Sequence, residues 1–205
     1  VKLRSDQDQL GRALANMTQT LREVTSKNAQ QDWLKTGQTQ LNDQISGEQD
    51  LLRLAENIIN FLTPYLKAQV GVFYLLEEEP EARLKMIATH AYTWRKHLAN
   101  EFNIGEGIVG QAALERKMMV ITQPPDDYLY IQTGLGESPP QSILVMPLLY
   151  EDTLKGILEL ASFKAMTNKQ LEFLQQVMPS IGIAVNTAQS RAKMQELLKR
   201  LKIDH

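Results

Sequence analysis

Gly105-Glu106-Gly107-Ile108-Val109-Gly110 spells G-x-G-x-x-G. That spacing holds a dinucleotide pyrophosphate on free backbone N–H groups when a strand runs into the glycines and a helix leaves them. The flanking residues argue against it. Ala99-Asn100-Glu101-Phe102-Asn103-Ile104 is a polar mixture and a poor strand, and Glu106 puts a carboxylate where a pyrophosphate needs positive potential. No alternation of strands and helices follows to build a parallel sheet. Few other residues offer chemistry. Three histidines, His90, His97 and His205, lack any neighbouring metal-ligand set, so no metal is expected. The absence of cysteine removes disulfides, thiolate sites and a cysteine nucleophile. Glu77-Glu78-Glu79-Pro80-Glu81 reads as a solvated hairpin tip rather than a cation site. Glu159 is different. It lies between Leu158 and Leu160, on the strand face shared with Ile157 and Ala161. A buried carboxylate needs a partner, so Glu159 either pairs within the protein or reads a ligand's donor.

The elements that must hold these residues follow from periodicity. Leu51, Leu52, Leu54, Ala55, Ile58, Ile59 and Leu62 make a core-facing helix, expected to stop at Thr63-Pro64. Val70 to Leu76 is a strand apolar on both faces, and Leu84 to Ala91 is its returning partner, with His90 within the strand in an apolar context. Ile108, Ala112 and Ala113 give a short helix its apolar side, with Arg116 and Lys117 suited to its C-terminal dipole. Met118-Met119-Val120-Ile121 is a further buried strand. Thr122 to Gln141 is expected to be a long loop with little regular structure, the kind of segment that often carries function. An extended piece there would put Tyr128 and Tyr130 on one side, either plugging the sheet or touching a ligand.

The glycine stretch resembles the G-x-G-[IL]-x-G-x-A signature of GAF domains, which are small-molecule sensing modules. Ser142 to Tyr150 and Leu154 to Ser162, joined at Glu151-Asp152-Thr153, are similar to the last two strands of that family. The resemblance implies an α+β fold: a GAF-like antiparallel sheet with helices on one face, and a ligand pocket opposite them under the Thr122–Gln141 segment. Candidate lining residues are then Phe73, His90, Ile108, Tyr128, Tyr130 and Glu159. The ligand would be a small organic molecule with an apolar body and few polar groups, of unknown identity. His90 is either a partner-bonded side chain or a pocket contact, the latter including axial haem ligation as in a few GAF sensors. Bilin attachment and GAF-type methionine-sulfoxide reduction both need cysteine, so neither is expected. The cyclic-nucleotide pattern is incomplete, because Asn168, Lys169 and Phe173 lack a following Asp-Glu.

The two ends of the chain read as coiled coils. Leu10, Leu14, Met17, Leu21 and Val24 step by four and three, a heptad seam. Asn28 and Gln31 interrupt it, and Leu34, Leu41 and Ile45 resume it after a ten-residue step that overwinds the coil. A 46-residue helix would reach about 70 Å, and a helix this polar needs a partner for its seam. Asp8 to Glu23 also resembles the second helix of a HAMP domain, D-E-[LI]-G with N-x-M, although Gln9 stands where Glu is usual. Leu171, Leu174, Met178, Ile181, Val185 and Ala188 form a closing helix, with Pro179 expected to kink or loosen it. Met194, Leu198 and Leu201 prolong the seam among basic residues that have no interleaved aromatics, which disfavours a nucleic-acid surface.

Composition agrees with this layout. Of 205 residues 22% are charged and 43% hydrophobic, with net charge −2, a balance that calls for neither nucleic acid nor anionic lipid. No apolar run is long enough to span a bilayer, and the N-terminus lacks a signal-peptide core. The expected organisation is the end of a HAMP domain at 1–25, a coiled-coil connector at 26–46, a GAF sensor at 47–188 and the start of an output coiled coil at 189–205. The expected assembly is a parallel homodimer through Leu10, Leu14, Met17, Leu21, Val24, Leu34, Leu41, Met194, Leu198 and Leu201. By resemblance this is the non-catalytic, cytoplasmic sensing region of an inner-membrane sensor histidine kinase, reached by membrane only through a missing upstream segment. The alternatives are a ligand-free dimerisation spacer, or the sensor of a nucleotide cyclase or transcriptional activator.

Overall fold

The computed structural model describes residues 2–47, 50–92 and 100–203. His97 and His205 lie outside the described residues. The chain divides into two compact units, 1–39 and 40–205. The first is helical, part of α1 (Lys2–Ile45). Its seam side chains Leu10, Leu14, Met17, Leu21 and Val24 are between 50% and 64% exposed, while Leu34 is buried.

The second unit is built on a six-stranded antiparallel sheet. In chain order its elements are α2 (Leu51–Tyr65), β1 (Val70–Glu77), β2 (Arg83–His90), β3 (Glu101–Asn103), α3 (Gly107–Glu115), β4 (Met119–Thr122), β5 (Ile131–Thr133), β6 (Gly136–Ser138), β7 (Ser142–Tyr150), β8 (Thr153–Ser162) and α4 (Asn168–Ile203). The main sheet runs β3-β2-β1-β8-β7-β4, and β5-β6 is a separate hairpin. That order puts β1 and β8, the most apolar strands, at the centre, where both faces are covered.

Helices α2 and α4 cover one face of the sheet, and α3 lies against the other. Asp50 caps α2 by accepting from the Arg53 N–H at 2.9 Å. Leu54, Ala55, Ile58, Ile59 and Leu62 then bury its stripe, whereas Leu52 stays exposed. The helix does not stop at Thr63-Pro64 but runs through Pro64 to Tyr65. A proline that close to the end removes only one late hydrogen bond, and the Leu66 and Lys67 N–H groups close the turn on Leu62 and Pro64. A capping box opens α4: the Thr167 N–H donates to the Gln170 side chain, and the Gln170 N–H to the Thr167 hydroxyl. The helix continues through Pro179, burying Phe173, Leu174, Val177, Met178, Ile181 and Val185. Beyond the sheet Met194, Leu198 and Leu201 are again exposed.

Two local expectations change. Glu101–Asn103 does form a strand, because its Phe102 pairs with Leu84 at the sheet edge. The Thr122–Gln141 segment is not structureless, since β5 and β6 pair within it through Ile131↔Ser138 and Thr133↔Gly136. Ile131 anchors that hairpin in the core cluster that also holds Val145 and Ile157.

Candidate functional site

The glycine motif builds a loop closed on itself. The Gly105 N–H donates to the Gly110 carbonyl at 2.8 Å, and the Gly110 N–H to the Glu106 carbonyl at 2.9 Å. The Glu106 carboxylate accepts from the Asn103 N–H at 2.8 Å. Gly105 and Gly107 have φ of 86° and 61°, the left-handed region that favours glycine. A Cβ on Gly110 would stand 2.3 Å from the Asn103 carbonyl oxygen. These glycines serve close backbone packing. The strand before them pairs antiparallel with β2, and among the described residues no parallel strand–helix–strand unit is present to hold a nucleotide.

What the loop positions is the start of α3 over a cavity of ≈ 210 Å³. The floor is the sheet: Val70, Val72 and Tyr74 from β1, with Glu159 and Ala161 from β8. Strand register puts them on one face, since Val70 lies opposite Ala161, Val72 opposite Glu159 and Tyr74 opposite Ile157. Gly107 and Ile108 of α3 form the opposing wall. Tyr92, Phe102, Tyr128 and Leu129 complete it. Phe102 meets the edge of Tyr74 at 5.6 Å and 78°.

Glu159 is the only charged side chain among the described lining residues, and it is buried. The Tyr74 hydroxyl donates to its Oε2 at 3.1 Å, and the Tyr128 hydroxyl to its Oε1 at 2.8 Å. Burial raises the carboxyl pKa, and the two tyrosine hydrogen bonds lower it without reversing the shift. Burial, and then the charge and hydrogen bond of Glu159, push both phenols well above the ordinary tyrosine range. Both tyrosines therefore remain neutral donors across physiological pH.

Of the residues expected at the pocket, the structure brings Ile108, Tyr128 and Glu159 together and leaves Phe73, His90 and Tyr130 out. Phe73 shares the face of Gly71, where an added Cβ would meet Thr63 and Ile59 of α2. It is buried on the helix side. His90 misses because of a β-bulge. Phe73 pairs with Ala88 but Tyr74 with Met86, so Ile87 has no opposite residue and the alternation flips beyond it. Leu84 and Met86 keep to the cavity-side core, while His90 pairs with Gly71 and turns to the helix side. There its Nδ1 lies 2.7 Å from Asn60 Oδ1. That is the partner-bonded role, and haem ligation in this cavity is excluded by the orientation. The segment turns just before Tyr128, whose N–H donates to the Pro125 carbonyl at 3.0 Å. Adjacent Tyr128 and Leu129 both line the cavity while Tyr130 is exposed, so two-sided alternation does not hold across this piece.

For Tyr74 and Val72 the sequence signal is partial: period-two alternation offers either the even or the odd residues of β1, and only strand register sets the even ones on the face of Glu159. The small Gly71, against which α2 packs, marks the odd set as the helix side. Tyr92 and Phe102 carried no comparable signal. Of the expected dimer residues, Leu41 is fully buried and Leu34 buried in the single chain; the other eight are exposed. Leu41 belongs to the compact unit that begins at Gln40. No group of metal-ligating side chains occurs among the described residues.

The profile of one family, described as GAF domain, matches residues 48–186. No curated protein matches the chain. Among solved structures it is similar to the GAF domain of a phosphoenolpyruvate-protein phosphotransferase from Acinetobacter, at TM-score 0.62 and 17% identity, covering 80% of this chain and 98% of that one. The corresponding domain from Coxiella burnetii gives TM-score 0.64 at 14% identity, covering 78% and 96%. Free methionine-R-sulfoxide reductase from Neisseria meningitidis, in complex with its substrate, gives 0.61 at 16%, covering 77% and 91%. At these identities the likeness carries the fold.

Proposed function

The chain belongs to the GAF family, and from that membership we propose that it is a small-molecule sensor whose ligand occupies the cavity between the sheet and α3. One observation carries this: a cavity of ≈ 210 Å³, mostly apolar and aromatic, with a single buried carboxyl in its wall. That is the make-up of a recognition pocket, an apolar body with few orienting polar groups. The proposed setting is the cytoplasmic sensing and dimerisation region of a membrane sensor kinase, working as a parallel homodimer. It is supported by the HAMP-like pattern of Asp8 to Glu23 and by exposed apolar seams at Leu10 to Val24 and Met194 to Leu201. No described helix is long and apolar enough to cross a membrane, so the proposal places any anchor outside these residues. The reductase among the structural neighbours does not transfer its activity: this chain has no cysteine with which to run a thiol-dependent reduction. Glu159 supports a second reading. Because its oxygens are already paired with Tyr74 and Tyr128, the pocket can serve as packing in a ligand-free dimerisation spacer.

Native mass spectrometry and a thermal-shift screen on the full chain separate the two. A sensor carries or acquires a small molecule, and Ile108→Trp, which fills the cavity from α3, abolishes that binding while the fold survives. A chain that takes up nothing, and is stabilised by nothing, is a spacer.

A further inference from the structure

The class of ligand follows from what surrounds Glu159, given the sensing role proposed above. Each carboxyl oxygen takes one phenolic donor, from Tyr74 at 3.1 Å and from Tyr128 at 2.8 Å. A carboxylate has about four acceptor sites, so roughly half of that capacity remains open. Glu159 itself lines the cavity, so the unused capacity is within reach of an occupant. The two phenols supply hydrogen bonds but no positive charge. From the other elements packed on this space, α3 contributes Gly107 and Ile108, β3 contributes Phe102, the end of β2 leads to Tyr92, and the loop adds Leu129. Across the sheet Glu159 faces Val72 and Val145. No lysine, arginine or histidine among the described residues lines the cavity. Among the described residues, an ionised Glu159 would thus be hydrogen-bonded yet without a counter-charge, and a buried charge left in that condition is costly.

The rest of the described wall also suits a cation. Tyr74, Tyr92, Phe102 and Tyr128 surround the space, and aromatic faces attract a desolvated cation. We propose that the cavity binds a small organic cation: a compact apolar body bearing a protonated primary amine or amidine, its N–H groups on Glu159 and its charge among the four rings. An anion would meet the carboxyl with no compensating cation among the described lining residues. A neutral alcohol or amide could use the open acceptor sites, but would leave the carboxyl either uncompensated or protonated. Size limits the body. A dry cavity of about 150 Å³ accommodates benzene, so ≈ 210 Å³ suits a single ring or branched chain plus the amine.

Binding would also move a proton. Burial favours the neutral carboxyl, and the cation favours the carboxylate. Below the raised pKa of Glu159, uptake of the amine therefore releases a proton, and affinity rises with pH until that pKa is passed.

Three probes of one shape test this on the full chain at pH 5 and pH 8: benzylammonium, benzyl alcohol and benzoate, by thermal shift and titration calorimetry. The expected result is that benzylammonium alone binds, more tightly at pH 8. In two buffers of different ionisation heat, its binding at pH 5 shows proton release. Glu159→Gln weakens it by about thirtyfold or more, the scale of removing one partner of a buried charge pair. Ile108→Trp removes it altogether. Should benzyl alcohol or benzoate bind equally well and be lost in Ile108→Trp, the cation class is wrong while the sensing pocket stands. Benzylammonium binding that ignores Glu159→Gln and releases no proton also overturns the cation class. If no probe binds and the purified chain carries no molecule, the sensing reading falls with it.

Discussion

Glu159→Gln should make the protein more stable, and increasingly so as pH rises. The substitution keeps the side-chain size and removes the titrating group. Burial holds the folded carboxyl above its ordinary value of 4.5, so the folded chain binds this proton more tightly than the unfolded chain does. Wild-type stability is then undiminished below the ordinary value and falls as pH climbs towards the folded one. Each unit of separation costs about 1.4 kcal/mol. Glutamine has no such slope. At pH 4 the carboxyl is largely neutral in both states, and the two proteins differ only through rearranged bonds to Tyr74 and Tyr128. One hydroxyl must then accept from the amide instead of donating, an effect of about 1 kcal/mol. Urea denaturation at fixed protein concentration, at pH 4 and in steps to pH 8, reads the difference directly. A gap that widens upward and then levels locates the folded pKa. A gap constant across the range would refute the reasoning, because it would mean that burial does not perturb Glu159.

Three further variants are informative. Gly110→Ala should destabilise by roughly 1–3 kcal/mol, since its Cβ would meet the Asn103 carbonyl at 2.3 Å, backbone against backbone; an unchanged urea midpoint would show that the loop yields freely. Leu14→Asp with Leu21→Asp should convert a dimer to monomers in light scattering while the melting of the 40–205 unit persists, both positions being exposed in the single chain. Asp50→Ala should cost about 1 kcal/mol by removing the cap on the Arg53 N–H, visible as a lower urea midpoint.

The fold was largely legible because its signals are local. The alternation of β1, the stripe from Leu54 to Leu62 and the glycine motif each name an element, and the order of elements implies the sheet. Half of the candidate pocket was not legible, and the reasons are specific. His90 was displaced by one unpaired residue, Ile87, and nothing in Leu84 to His90 announces a bulge. Phe73 lies on the helix side, and because β1 is apolar on both faces hydrophobicity cannot distinguish that side from the cavity side. Tyr130 stays out because Tyr128 and its neighbour Leu129 both line the cavity, an arrangement that two-sided alternation does not foresee. Glu159 was found from its own chemistry, a lone carboxylate in an apolar strand. Its partner Tyr74, 85 residues away, could be named only through strand register.

That same register explains how occupancy of the cavity can be felt on the opposite face. β1 and β8 alternate between the two sides: Val72, Tyr74 and Glu159 face the cavity, while Phe73 and Leu158 form the adjacent pair facing the helices. The helices there are tied to one another at one end. Gln170 Nε2 donates to the Leu66 carbonyl at 2.8 Å, and the rings of Tyr65 and Phe173 lie 5.0 Å apart. Further along, Gly182 brings α4 so close to β7 that an added Cβ would sit 2.2 Å from the Leu149 carbonyl oxygen. A close-packed interior transmits a shift of this kind rather than absorbing it. A ligand that draws Glu159 away from one tyrosine perturbs β8 between these two fixed points, and α4 is the element that touches both and continues outward. Its exposed Met194, Leu198 and Leu201 are where the displacement would reach a partner. The ligand can bias that end only if it binds one helix packing better than another, since equal affinity for both shifts nothing. A cation that pairs with Glu159 in only one arrangement of Tyr74 and Tyr128 would have that differential affinity.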